Sequence, residues 1–171
     1  AIDYAYDLFG CVVVFAAGNA NDDVAYYSPA NYSKTIAVAS VYSSDAWASS
    51  NWGDEIDVAA PGMDILSLRS VGTNMGGSSS YIVPQGNPNG KYYRGYGTSM
   101  ACPHVSGIAA IMLSRNPQFS NKEVREILRV FSDDLGDPGK DIYFGYGRGD
   151  AHRAASINAY GVSITSPANQ S

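Results

Sequence analysis

Cys11-Val12-Val13-Val14-Phe15-Ala16-Ala17 is an unbroken apolar run, rich in β-branched residues, that stops at Gly18-Asn19. A half-exposed strand alternates polar and apolar residues, so a run without alternation reads as a strand of a parallel sheet covered on both faces. Further along, Thr35 to Val41 is a second such run, and Ile56 to Ala60, ahead of Pro61-Gly62, is a shorter third. Before the first run, Ile2, Ala5, Tyr6 and Phe9 recur at helical spacing and stop at Gly10, the last turns of a helix expected to begin outside this sequence. Strands interleaved with helices give an α/β fold class.

The chain has 171 residues, 45% hydrophobic and 16% charged, which suits one domain around one sizeable core. A net charge of -5, with eleven scattered basic residues, argues against a nucleic-acid surface, which needs clustered Lys and Arg. No apolar run reaches the ~18 residues that would span a bilayer. Thirteen Tyr with abundant Gly, Ser and Asn resemble the composition of secreted proteins. Two cysteines make no framework; Cys11 and Cys102 are expected to be small buried hydrophobes, with a mutual disulfide as the alternative.

Residues 70–97 are rich in Gly, Ser, Asn and Pro and read as a surface excursion, with a strand at Tyr81-Ile82-Val83 and a return at Lys91 to Arg94. From Ser99 to about Ser114 runs a nearly uncharged segment whose apolar residues cover most of a helix's circumference, as expected of a helix buried in a large core. Ser120 with Glu123 forms a capping box for an amphipathic helix, and Asp150 is the N-cap expected for a last helix, Ala151 to Ala159. Residues 1–160 are expected to form the domain, and 161–171 a tail or linker.

Gly97-Thr98-Ser99-Met100-Ala101 places a hydroxyl where a glycine-rich loop turns into an apolar helix. A serine there gains backbone N–H groups that face a developing oxyanion, but its hydroxyl needs a base to accept its proton. The two histidines offer none: His104, five residues on, is expected to point round the helix and deeper into the protein, and His152 to lie on the surface. Cys102 lies one turn inside the helix, away from its exposed mouth. An esterase elbow would require Gly-x-Ser-x-Gly, whereas Met100-Ala101 follow Ser99.

The segment Gly97 to Val105, with its Pro103-His104, resembles the serine motif of subtilisin-like proteases, the subtilases of S8 type. Ala16-Ala17-Gly18-Asn19 is similar to that family's oxyanion-hole motif. Ser28-Pro29-Ala30, Ser49 to Gly53, Asp57 to Gly62 and Gly145-Tyr146-Gly147-Arg148 follow in the family's order.

The resemblance implies part of a doubly wound, mostly parallel sheet with helices on both faces, and a secreted serine endopeptidase. Ser99 would be its nucleophile and Asn19 an oxyanion donor, and an extended peptide substrate would be held by Ala16, Ala17, Gly18, Tyr27 and Thr98. Tyr26 and Tyr27 either fill the substrate pocket or turn outward. The family's Asp-Thr-Gly and His-Gly-Thr motifs are not in this sequence. The chain therefore reads as the C-terminal portion of a catalytic domain whose N-terminal portion supplies the Asp and His, this chain alone being inactive. The alternative is a non-catalytic pseudoprotease or processed fragment acting as a binding module. The chemistry requires no cofactor. A structural calcium is implied at the carbonyls of Ala30 and Tyr32 with Asp57, against a merely solvated Asp57, and a cis peptide at Ser28-Pro29. The acidic groups Asp22-Asp23 and Asp133, Asp134, Asp137 and Asp141 read as solvated loops.

Overall fold

The computed structural model describes residues 1–70, 73 and 81–157. Three parallel strands, β1 (Val14–Ala16), β2 (Ile36–Val41) and β3 (Ile56–Pro61), lie in that order in one sheet. Val14 to Ala16 pair with Ile36 to Val38, and β2 is buried along its whole length. The expected run from Cys11 shrinks to three half-buried residues in β1, because this strand is the edge of the described sheet. Cys11 is exposed rather than buried, Cys102 is half-buried, and both thiols are free.

The pairing of β2 with β3 skips Asp57: Ala37 faces Ile56 while Val38 faces Val58. Asp57 is thus the extra residue of a bulge, and its carboxylate accepts the Ala37 N–H at 2.9 Å in place of a ladder carbonyl.

A second, antiparallel sheet joins β4 (Ile65–Leu68), β5 (Ile82–Val83) and β6 (Tyr92–Gly95), with β6 in the middle. The strand at Ile65 to Leu68 has no clear signal in the sequence. Buried Arg69 organises the excursion beyond it, donating to the carbonyls of Pro88 and Gly90, both at 3.1 Å, and to that of Thr73.

Helix α1 (Thr98–Arg115) is followed by α2 (Asn121–Val130) and α3 (Ala151–Ala155). Both sides of the Ser120–Glu123 capping box are formed, and Asp150 caps α3 through the Arg153 N–H. Ala101, Val105, Ile108, Ala109 and Met112 of α1 pack with Val124, Ile127 and Leu128 of α2 against Ile36, Val38 and Val58. Among the described residues the three α-helices serve this one face; the other is packed by Val24, from a 3-10 turn at Val24–Tyr26, and by Ala30, Leu135 and Phe144. The sequence pattern suggests that α1 is buried all round, but it buries only this stripe, leaving His104, Gly107 and Ile111 on an open side. A π-turn at Tyr4–Leu8 closes at Gly10 (φ +63°) where the sequence shows helical spacing. The last helix, expected to reach Ala159, ends at Ala155 with Ser156 as its C-cap, and the expected tail, 161–171, lies outside the described residues.

Candidate active site

Ser99 is the second residue of α1, exposed, at the end where helical N–H groups have no carbonyl of their own turn to bond. Gly97 precedes it at φ +106°, and a Cβ there would sit 2.9 to 3.2 Å from the Asn19 side-chain amide. Only glycine suits both the backbone angle and the contact. The Gly97 N–H donates to the Gly62 carbonyl at 2.7 Å, tying the nucleophile's loop to the segment just past β3.

Asn19 arrives from the other direction, three residues past the end of β1. Its Oδ1 accepts from the Thr98 N–H at 2.9 Å and from the Thr98 hydroxyl at 3.2 Å, and that hydroxyl in turn accepts the Gly18 N–H at 3.1 Å. Two donors on one atom fix which end of the amide is oxygen. The Nδ2 end is left free of Thr98, on a residue that is exposed as a whole. Thr98 is fully buried, so this interlock is shielded from water. The structure thus brings Gly18, Asn19, Thr98 and Ser99 together across some eighty residues of sequence.

Sequence reasoning gives Asn51 no role of its own, yet it lies under this loop. It is fully buried; its Nδ2 donates to the Ala17 carbonyl at 3.0 Å and its Oδ1 accepts the Ala20 N–H at 2.8 Å. The only trace of it in the sequence is a polar residue inside the Ser49 to Gly53 motif.

Ala17 is buried and Ala16 half-buried beside this loop. Of the two tyrosines, Tyr26 points outward at 79% exposure, while Tyr27 is half-buried with its hydroxyl donating to Asp22 at 3.2 Å. Desolvation and that bond hold the Tyr27 phenol above its usual range. On the opposite side of Ser99, Ile65, Leu68, Met100, Pro103 and His104 line a cleft of about 340 Å³.

His104 does not point inward as the sequence suggests. It is exposed, and its Nδ1 lies 2.8 Å from the Met100 carbonyl one turn back, which draws the ring along the open side of α1. Burial pushes the Cys102 thiol up, which disfavours a thiolate there.

The cation site expected at Ala30, Tyr32 and Asp57 does not fit. The Thr35 hydroxyl donates to the Tyr32 carbonyl at 2.7 Å and lies 3.3 Å from that of Ala30, occupying the space between them. Asp57, 1% exposed and so not solvated either, is bridged by Arg125 and by Arg129. Two guanidiniums and a backbone N–H leave its oxygens no capacity for a metal, and no group of three or more His, Cys, Asp or Glu side chains suited to a metal occurs among the described residues. The acidic loops are also bound structure rather than free charge. Asp133 pairs with Arg148 and Arg153, Asp134 accepts the Gly139 N–H, and Asp141 accepts the N–H groups of Tyr143 and Phe144. The Ser28–Pro29 peptide is cis, as the resemblance implies.

The profile of the subtilase family, peptidase S8, matches residues 1–147. A thermophilic serine proteinase of Bacillus sp. strain AK1 is 38% identical over 91% of this chain and 33% of its own length. The minor extracellular protease Epr of Bacillus subtilis strain 168 is 34% identical over 94% of this chain and 22% of its own. The chain thus spans about a third or less of the length of these relatives. The crystal structure of a lanthipeptide protease superposes with a TM-score of 0.77 at 28% identity, covering 90% of this chain and 52% of that one.

Proposed function

The chain belongs to the subtilase family, and from that premise we propose that it carries the nucleophile and oxyanion donors of a secreted serine endopeptidase. The observation that carries this reading is the lock between Asn19 and Thr98, which leaves one amide donor beside an exposed serine at a helix N-terminus. Ser99 Oγ attacks the scissile carbonyl of an extended peptide held along Ala16, Ala17 and Gly18, with Tyr27 bordering the site and Thr98, expected to touch the peptide, instead buried beneath it as the anchor of Asn19. The Ser99 proton passes to a histidine, the oxyanion lies between Asn19 Nδ2 and the Ser99 N–H, and the amine leaves an acyl-enzyme that water hydrolyses.

The histidine and its aspartate come from an N-terminal portion of the same catalytic domain. Exposed apolar residues support such a neighbour: Leu66 and Leu68 rim the cleft beside Ser99 at 51% and 75% exposure, and Ile111 is 46% exposed on α1. The name of the extracellular Bacillus relative supports secretion.

Fluorophosphonate treatment followed by intact mass tests this. Ser99 is labelled in the complete protein and stays unlabelled in the 171-residue chain alone and in Ser99→Ala. A complete protein that resists labelling would leave the family fold in the role of a non-catalytic binding module.

A further inference from the structure

Resting on the reading of Asn19 as an oxyanion donor, we propose that Asn51 is a positioning residue of the same site, fixing the backbone that carries Asn19. The loop from Ala17 to Asp22 leaves β1 without strand or helix to set its path, so its polar backbone groups need other partners. One residue supplies four. Asn51 Nδ2 donates to Ala17 O at 3.0 Å, its Oδ1 accepts from Ala20 N at 2.8 Å and from Asp22 N at 3.3 Å, and its own N–H donates to Gly18 O at 2.8 Å. The chain is therefore tied down on both sides of Asn19, while the Asn19 side chain is held by Thr98.

The contact is close enough to dictate its neighbour. A Cβ on Gly18 would lie 2.5 Å from Asn51 Nδ2, and Gly18 adopts φ +102°. The loop lies flat on the amide because residue 18 has no side chain. Asn51 is also 0% exposed, so in the intact protein these bonds are made without competition from solvent at the side chain.

An oxyanion donor works because it is already in place when charge develops, so a shift of the loop reduces turnover more than ground-state binding. The amide is needed as a whole. An aspartate at 51 accepts from Ala20 and Asp22 but cannot donate to Ala17, and an alanine does neither.

The experiment uses the complete protein, with the rate of fluorophosphonate labelling at Ser99 and hydrolysis of fluorescent casein as readouts, in wild type, Asn19→Ala, Asn51→Ala, Asn51→Asp and Asn19→Ala/Asn51→Ala. Asn51→Ala is expected to lower labelling rate and kcat by about 10- to 100-fold with KM nearly unchanged, as for a small misplacement of a catalytic group. Asn51→Asp recovers part of the loss. In the Asn19→Ala background, Asn51→Ala costs almost nothing more, because the donor it positions is already gone.

An equal loss in both backgrounds, or a loss in KM alone, would show that Asn51 serves only stability and would overturn the proposal. If Asn51→Ala does not fold, Asn51→Asp in the two backgrounds gives the same comparison. Wild-type labelling in Asn19→Ala would overturn the oxyanion reading of Asn19 and this proposal with it, a result separable from failure at Asn51 alone.

Discussion

Asn19 and Asp57 are both polar residues placed by the central parallel strands, and the sequence marks both as functional, yet the fold treats them in opposite ways. Asp57 is sealed in: Ala37 N–H, Arg125 and Arg129 take up its oxygens. Asn19 is exposed and half-engaged, its oxygen held by Thr98 and its amide nitrogen not drawn into that contact. A side chain whose hydrogen-bonding capacity is filled from within the fold stabilises that fold. One that is fixed at one end and open at the other is ready to bind something else. The difference lies in remaining capacity, which residue type does not reveal.

The largest effect that tests this contrast belongs to the open side. Asn19→Ala in the complete protein is expected to lower kcat by a factor worth about 2.7 to 4 kcal/mol, a magnitude that comes from removing an oxyanion donor of subtilisin, a member of the same family, and not from the distances in this site. Its unfolding midpoint should stay near wild type; a large fall in stability would mean that Asn19 is structural like Asp57.

Asp57→Ala should do the reverse. It strands two guanidiniums that are only 18% and 21% exposed, so denaturant unfolding should show a loss of about 3 kcal/mol, at the lower end for a broken buried pair because the arginines keep some contact with water. Retained stability would mean that the cluster is dispensable.

Gly97→Ala tests the join between the two behaviours. Its φ of +106° and the Asn19 amide at about 3 Å predict a loss of about 2 kcal/mol of stability together with slower labelling of Ser99. If activity survives unchanged, the Gly97–Asn19 contact does not set the site.

The smallest effect falls on α2, which carries both arginines. Ser120→Ala removes its N-cap and should cost about 1 kcal/mol, without changing the labelling rate of a folded sample. The hydrogen bonds from the Ser120 backbone and hydroxyl hold the Glu123 carboxyl below its usual value of 4.5, and the substitution removes the second of them. Because the folded value is the lower one, this stabilisation is complete above pH 4.5 and is lost as pH falls through the folded value. Ser120→Ala should therefore weaken the acid dependence of unfolding in that window.

Much of this is legible in the sequence because it is local. The buried runs at Ile36 and Ile56, the Ser120–Glu123 box and the glycine-to-helix turn at Ser99 depend on neighbours within a few residues, and the structure shows each of them. The direction of His104 is not legible in the same way, because a helical position fixes the angle of a side chain but not its hydrogen-bond partner, here the Met100 carbonyl. Cys11 reads as an interior residue because it opens an apolar run, but it precedes the strand, which is Val14–Ala16 at the edge of the described sheet. The cation site fails because the partners of Asp57 lie 68 and 72 residues away.

The sequence by itself determined most of the elements and the motif around Ser99, since caps and apolar period are properties of short stretches. Tertiary structure alone decided which groups engage Asn51 and Asp57, and which end of the Asn19 amide is held. Each is defined by the hydrogen-bonding groups that arrive from remote segments, and by how many of its own donors and acceptors those groups leave open.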